Sequence, residues 1–139
     1  MFFRKIPNGY MVRLEKGEEV VNSLATLVEK EKILGGFLWG LGAIENPTLG
    51  YFDPHKNEYI KKSLSGDFEL GNLTGDISYL DGKPFVHVHV TLADENFNSF
   101  CGHLFSGVIS VTGEFFIFVF DYKIERKKDP QTGFNFLDL

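Results

Sequence analysis

The chain places three of its four histidines in the stretch HVHVTLADENFNSFCGHL, which runs from His87 to Leu104. In an extended strand alternate side chains share a face, so Val86, Val88, Val90 and Leu92 form an apolar face and Phe85, His87, His89 and Thr91 the opposite one. The backbones of His87 and His89 are then roughly 6.6 Å apart, a spacing from which two imidazoles can converge on one ion. Neutral imidazole nitrogen is a good ligand for zinc and related divalent transition metals. His103 opens the next strand-like segment after ADENFNSFCG, and a neighbouring strand would bring it beside the pair. His87, His89 and His103 would then form a facial metal site with a position left for water or a small-molecule ligand, unlike a closed structural zinc site. The spacing also admits a plainer reading, in which strand histidines hydrogen-bond only to their neighbours. Cys101 is either a thiolate ligand or, as we expect, a small buried residue in a tight turn. His55, in the turn-like run DPHKNEY, is expected to be exposed and outside the site.

A sheet has to position these rings. Strand-like sequence covers Tyr10 to Glu15, Phe37 to Ile44, Thr48 to Phe52, Asp67 to Thr74, Phe85 to Leu92, Leu104 to Val111 and Glu114 to Asp121. Asp81-Gly82 and the Gly113 between two β-rich runs favour antiparallel neighbours, because parallel ones need crossover helices that the rest of the chain does not provide. One segment has helical spacing. Val20, Val21, Leu24, Leu27 and Val28 recur between Glu18 and Lys32, with acids at the start, Lys30 and Lys32 at the end, and Gly35 just beyond. This predicts a helix covering a sheet, and hence an α+β fold dominated by antiparallel strands. GGFLWGLG around Trp39 is not a dinucleotide loop, since such a loop follows a strand and opens a helix. Close backbone packing accounts better for Gly36, Gly40 and Gly42.

Length and composition narrow the function classes. The 139 residues suit a single domain over positions 1–139, and fifteen phenylalanines among 43% hydrophobic residues indicate an aromatic-rich core. No signal peptide or membrane-spanning run is visible, so a cytoplasmic location without membrane attachment is expected. A lone cysteine can supply neither an internal disulfide nor a four-cysteine zinc site. The net charge of -5 disfavours general attraction to nucleic acid, and DNA contact would need a local patch such as Arg126, Lys127 and Lys128 or Lys61 and Lys62. Such short basic runs usually mark solvated turns.

YMVRLEKGEEV, GLGAIENPTLGYFD, FELGNLTGDIS, FVHVHVTLAD and GHLFSGVISVTGEFFI, taken in order, resemble the plant-and-prokaryote-conserved (PPC) domain over nearly the whole chain. The resemblance implies an antiparallel α+β domain assembled as a homotrimer. It also supports the metal reading, because prokaryotic members resemble acetolactate decarboxylase in fold and carry a histidine cluster that His87, His89 and His103 match. Plant members join this domain to an Arg-Gly-Arg-Pro AT-hook, and no such sequence occurs here. The plant motif GRFEIL is matched in part by Gly66-Asp67-Phe68-Glu69-Leu70, and Cys101 stands where glycine commonly precedes the Gly-His pair. In the family pattern Glu69 is the acid near the cluster, a candidate general base or further ligand, though a solvent-facing strand glutamate is the simpler account. Arg13 is a candidate anion-binding group or an ion-pair partner at a subunit boundary. Two functions follow: a trimeric binding module linked to DNA or to a transcription partner, or a zinc-dependent enzyme of lyase or decarboxylase type acting on a small oxygenated substrate.

Overall fold

The helical periodicity after Gly17 becomes α1, Val20–Glu31, in a computed structural model that describes all 139 residues. Glu19 lies in extended backbone just before it, and its carboxylate accepts from the amides of Val21 and Asn22, satisfying donors that the first turn leaves open. The helix stops on Lys32 itself, which takes the left-handed conformation and returns its amide to Val28 and Glu29. Gly35 is therefore not the stop. Val20, Leu24, Leu27 and Val28 are fully buried, each stabilising the fold by about 1.5–3 kcal/mol, and the helix packs against the strands that carry the histidines.

The strands are β1 (Phe2–Ile6), β2 (Gly9–Glu15), β3 (Gly36–Asp53), β4 (Glu58–Ser63), β5 (Asp67–Leu80), β6 (Lys83–Ala93), β7 (Ser99–Val119), β8 (Arg126–Lys128) and β9 (Asn135–Leu137). The first seven form one sheet in the order β1-β2-β7-β6-β5-β3-β4, with every strand pair antiparallel. β3 also pairs with β7, so β7, β6, β5 and β3 close into a ring. β8 and β9 make a separate hairpin. The fold is α+β with a single helix on a mostly antiparallel sheet, as the pattern predicts.

Strand boundaries differ from expectation where bulges replace turns. β3 joins the two predicted segments on either side of Glu45-Asn46-Pro47, absorbing them as a register shift against β7. Asn46 takes a positive φ there, and its side chain accepts from the Gly66 amide. Gly113 is likewise not a reversal. It lies inside continuous β7, where an added Cβ would stand 2.6 Å from Ile109 Cδ1 and 2.7 Å from the Phe115 ring. Gly36 and Gly40 do pack closely as expected, with added Cβ atoms 2.3 Å from Phe118 O and 2.2 Å from the Phe115 ring. The sequence pattern does not predict the short strands β1, β4, β8 and β9. They are largely exposed and lack the alternation that marks a half-buried strand.

Candidate metal centre

Two tight connections bring the histidines together. Asp81 and Gly82 both take positive φ and join β5 to β6 with Leu80 opposite Lys83, the two-residue hairpin that Asp-Gly favours. From that turn the ladder sets Asp76 opposite His87 and Thr74 opposite His89. Gly75 permits this approach, since a Cβ there would stand 1.9 Å from the His87 carbonyl oxygen. In the next connection the Asp94 carboxylate accepts from the amides of Asn96 and Asn98 and from the Asn98 side chain. That turn sets His89 directly opposite His103. The apolar face of β6 is buried at Val88, Val90 and Leu92, which sends the imidazoles to the other side.

The three rings offer one nitrogen each within 4.8 Å of one another, and the ring centroids are 5.2–5.5 Å apart. Burial, followed by the charges of His87, His89 and Lys61, pushes the His103 pKa down to about 4. Burial and the His87 charge also lower that of His89. Both rings are therefore neutral at pH 7, the form that ligates metal. His103 Nδ1 is buried with no hydrogen-bond partner, which ordinarily costs about 1–3 kcal/mol. Two neutral imidazoles, one of them carrying an unsatisfied nitrogen, fit a divalent transition ion.

A carboxylate and a guanidinium stand behind His87. Asp76 Oδ2 is 3.2 Å from His87 Nδ1, and Arg126 Nη2 is 2.8 and 2.7 Å from the two Asp76 oxygens. Arg126 Nη2 is also 3.3 Å from His87 Nδ1. An N–H···carboxylate bond is the stronger alternative, and Nη2 already serves Asp76, so we assign the proton to His87 Nδ1. His87 Nε2 then keeps its lone pair for an ion, the usual division of labour in a metal-ligating histidine backed by an acid. Burial opposes ionisation of Asp76, but hydrogen bonds from His87, Arg126 and Ser78 and the guanidinium charge outweigh it and hold the carboxyl below its ordinary range. Arg126 also donates from Nε to Ser78 Oγ at 2.7 Å and from Nη1 to the Asn135 carbonyl at 2.7 Å.

The depressed histidine pKa values have a consequence for stability. The unfolded chain takes up protons near pH 6.5, whereas folded His103 resists until about pH 4, so over that window the unfolded state binds more protons. Stability of the metal-free protein should be complete above pH 6.5 and decline as the pH falls towards 4, by about 1–2 kcal/mol after discounting for partial exposure. Urea titrations of metal-free protein at pH 7.5 and 4.5 check this, with His103→Ala expected to show the smaller difference. An equal pH difference in the two proteins would contradict it.

The remaining candidates lie elsewhere. Glu69 is exposed on β5, opposite Ala43 and Ala93, four ladder pairs beyond Thr74 and His89. Arg13 is exposed on β2 opposite Glu114, with Glu15 at 3.4 Å and the Phe2 ring beneath its guanidinium. His55 is exposed in a turn. Cys101 is a correction: it is exposed within β7, opposite Thr91, because β7 begins at Ser99 and leaves no tight turn there. The basic run at 126–128 is divided, since the Arg126 side chain is only 7% exposed and turned onto Asp76 while Lys127 and Lys128 face solvent. Neither Asp76 nor an inward role for Arg126 is among the sequence expectations. The signal was the Asp81-Gly82 turn, from which counting outward pairs Asp76 with His87.

The sequence profile of the Plants and Prokaryotes Conserved (PCC) domain matches residues 1–121. The chain belongs to the PCC-domain family. Among solved structures, this PCC domain is similar to a candidate DNA-binding protein from Bacteroides thetaiotaomicron, with 32% identity, TM-score 0.95 and coverage of 99% of this chain and 96% of that one. A plant- and prokaryote-conserved (PPC) protein from Pyrococcus horikoshii is 36% identical, with TM-score 0.88 and coverage of 99% and 95%. A metal-containing protein from Archaeoglobus fulgidus is 31% identical, with TM-score 0.87 and coverage of 99% and 98%. Over 128 residues the PCC domain is also 28% identical to the bifunctional protein GlmU of a Synechococcus strain; the match takes in 90% of this chain but spans only 19% of that relative's length. No helix is long and apolar enough to cross a membrane.

Proposed function

We propose that this protein is a metal-binding PCC-domain homotrimer in which His87, His89 and His103 hold one zinc or related divalent ion, with a position left for a small oxygen-donor ligand. The observation that carries this reading is the convergence of three imidazole nitrogens within 4.8 Å, one ring braced by Asp76 and another holding a buried, unpartnered nitrogen. The metal-containing relative from Archaeoglobus fulgidus supports it. A bound ion would supply Lewis acidity, and the histidines would orient it towards the cavity beside them. Elemental analysis of protein purified without a histidine tag should give one divalent ion per chain. Less than a tenth of an ion, after incubation with zinc and desalting, would count against the proposal.

The trimer is supported by an apolar band continuous with the site. Met11, Phe116, Trp39, Thr74 and His89 align across β2, β7, β3, β5 and β6, so they share one face of the sheet. Phe37, Trp39, Leu41, Met11 and Phe118 are each 40–50% exposed, an apolar concentration that association would bury. Sedimentation equilibrium at micromolar concentration should give three times the 15.8 kDa chain mass. A monomer throughout that range would overturn it.

Two similar solved structures are candidate DNA-binding proteins, which gives the second reading, a role at DNA. This chain carries a net charge of -5, and Arg126 is committed to Asp76, so direct affinity for duplex DNA should be weak. Fluorescence anisotropy at physiological salt should show no submicromolar binding. Submicromolar binding with a steep salt dependence would favour the DNA reading.

A further inference from the structure

Beside the histidines, β6 and β7 stop pairing at His89 and His103, and a cavity of ≈ 760 Å³ opens where they part. Its volume lies in the range of small-molecule sites. His87 and His103 line one side, and α1 contributes Val21, Asn22 and Ala25. The β8–β9 hairpin, which lies beyond the residues matched by the family profile, contributes Arg126, Phe134, Asn135 and Phe136.

Two properties of this cavity define an occupant. First, its apolar wall is aromatic: Phe52, Tyr59, Phe85, Phe105, Phe134 and Phe136 all line it. Phe52 and Phe134 pack edge to face with centroids 4.1 Å apart, as do Tyr59 and Phe105 at 5.2 Å, while Phe134 and Phe136 stack at 5.9 Å, a wall that suits a flat ring better than a flexible chain. Secondly, cationic groups gather at the histidine end. Lys61 is exposed and not itself part of the cavity lining, but its Nζ stands 3.9 Å from the centroid of the lining residue Phe105, whose ring is 4.7 Å from that of His103. Arg126 lies over Phe85 on the other side. Glu58 is the one acid lining the cavity, and it is exposed. Asp76 is already matched by Arg126.

Building on the metal reading above, we propose that this cavity binds an aromatic 2-oxo acid or a closely related aryl carboxylate. The carboxylate and oxo oxygens face the histidine cluster, with Lys61 as the carboxylate's ionic partner. The aryl ring lies among the phenylalanines, and the β8–β9 hairpin forms the wall that selects it. Phe134 and Phe136 determine specificity, and Lys61 positions the head group.

The test uses the full chain loaded with cobalt(II), whose visible absorption reports changes among its ligands, together with calorimetry on the zinc-loaded chain. The probes are phenylpyruvate and pyruvate. Phenylpyruvate should perturb the cobalt spectrum and bind at least ~10-fold more tightly than pyruvate, because it alone fills the aromatic wall. Phe134→Ala should narrow that ratio, with Phe134→Leu as the better-packed alternative should the alanine variant fold poorly. Lys61→Gln should weaken both probes several-fold. Equal binding of the two probes, or phenylpyruvate binding that leaves the cobalt spectrum untouched, would overturn this proposal while leaving the metal site standing. Failure of cobalt or zinc to bind at all would overturn the metal reading and this inference with it.

Discussion

Replacing His103 by alanine should weaken zinc binding by at least ~100-fold. Loss of a partner behind a ligand typically costs ~10–100-fold, and His103 is proposed as a ligand itself. His103 also starts from a favourable state: its pKa of about 4 leaves no proton to displace at neutral pH, and its buried Nδ1 has no competing hydrogen bond. His87→Ala and His89→Ala should fall in the same range. His55→Ala, in an exposed turn on another connection, should bind as the native protein does. Competition titrations with a chromogenic zinc chelator measure all five proteins on one scale. Similar affinities throughout would dissolve the site, and a loss confined to His87 and His89 would remove His103 from it.

The second large effect concerns stability. Arg126→Ala should destabilise the metal-free protein by about 3 kcal/mol, because it strands a partly buried carboxylate and removes four hydrogen bonds at once. The guanidinium ties β8 to the sheet beside the backbone bond from Tyr79 N to Ile124 O, bonding to Asp76 and Ser78 on β5 and to the Asn135 carbonyl on β9. Adding Asp76→Asn to Arg126→Ala should recover part of the loss, since the stranded charge disappears. Guanidinium unfolding of the two single variants and the double variant gives the coupling directly. A cost below about 1 kcal/mol for Arg126→Ala, or simple additivity of the two changes, would show that the pair is not coupled.

The contrast between what was legible and what was not has a physical basis. α1 could be read because its apolar residues repeat at helical spacing and bury one face, and the strand carrying His87 and His89 could be read because its valines alternate. The length of β3 and β7 could not. Glycine and Asn-Pro usually end strands, but here they sit at register shifts and close contacts inside a closed sheet, which is a property of the neighbours rather than of the segment. Cys101 departs from expectation for the same reason, since β7 begins before it. Around the candidate site, strand alternation gave the shared face of His87 and His89. The position of His103 depends on the length of the Asp94–Asn98 connection, which the local sequence constrains only through the Asp94 turn. Asp76 was within reach, given the Asp81-Gly82 hairpin and the regular ladder on either side of it. Arg126 was not, because its contact with Asp76 joins residues far apart in sequence across a hairpin too short and exposed to show a pattern.

The most direct test of the central claim is a crystal of the untagged protein grown with zinc, with anomalous data collected on both sides of the zinc absorption edge. We expect one edge-dependent peak per chain among the His87, His89 and His103 rings, about 2.0–2.1 Å from one nitrogen of each. His87 should ligate through Nε2 and keep its Nδ1 on Asp76. Absence of an edge-dependent peak there, or a peak held by Cys101 or Glu69 instead, would contradict the account.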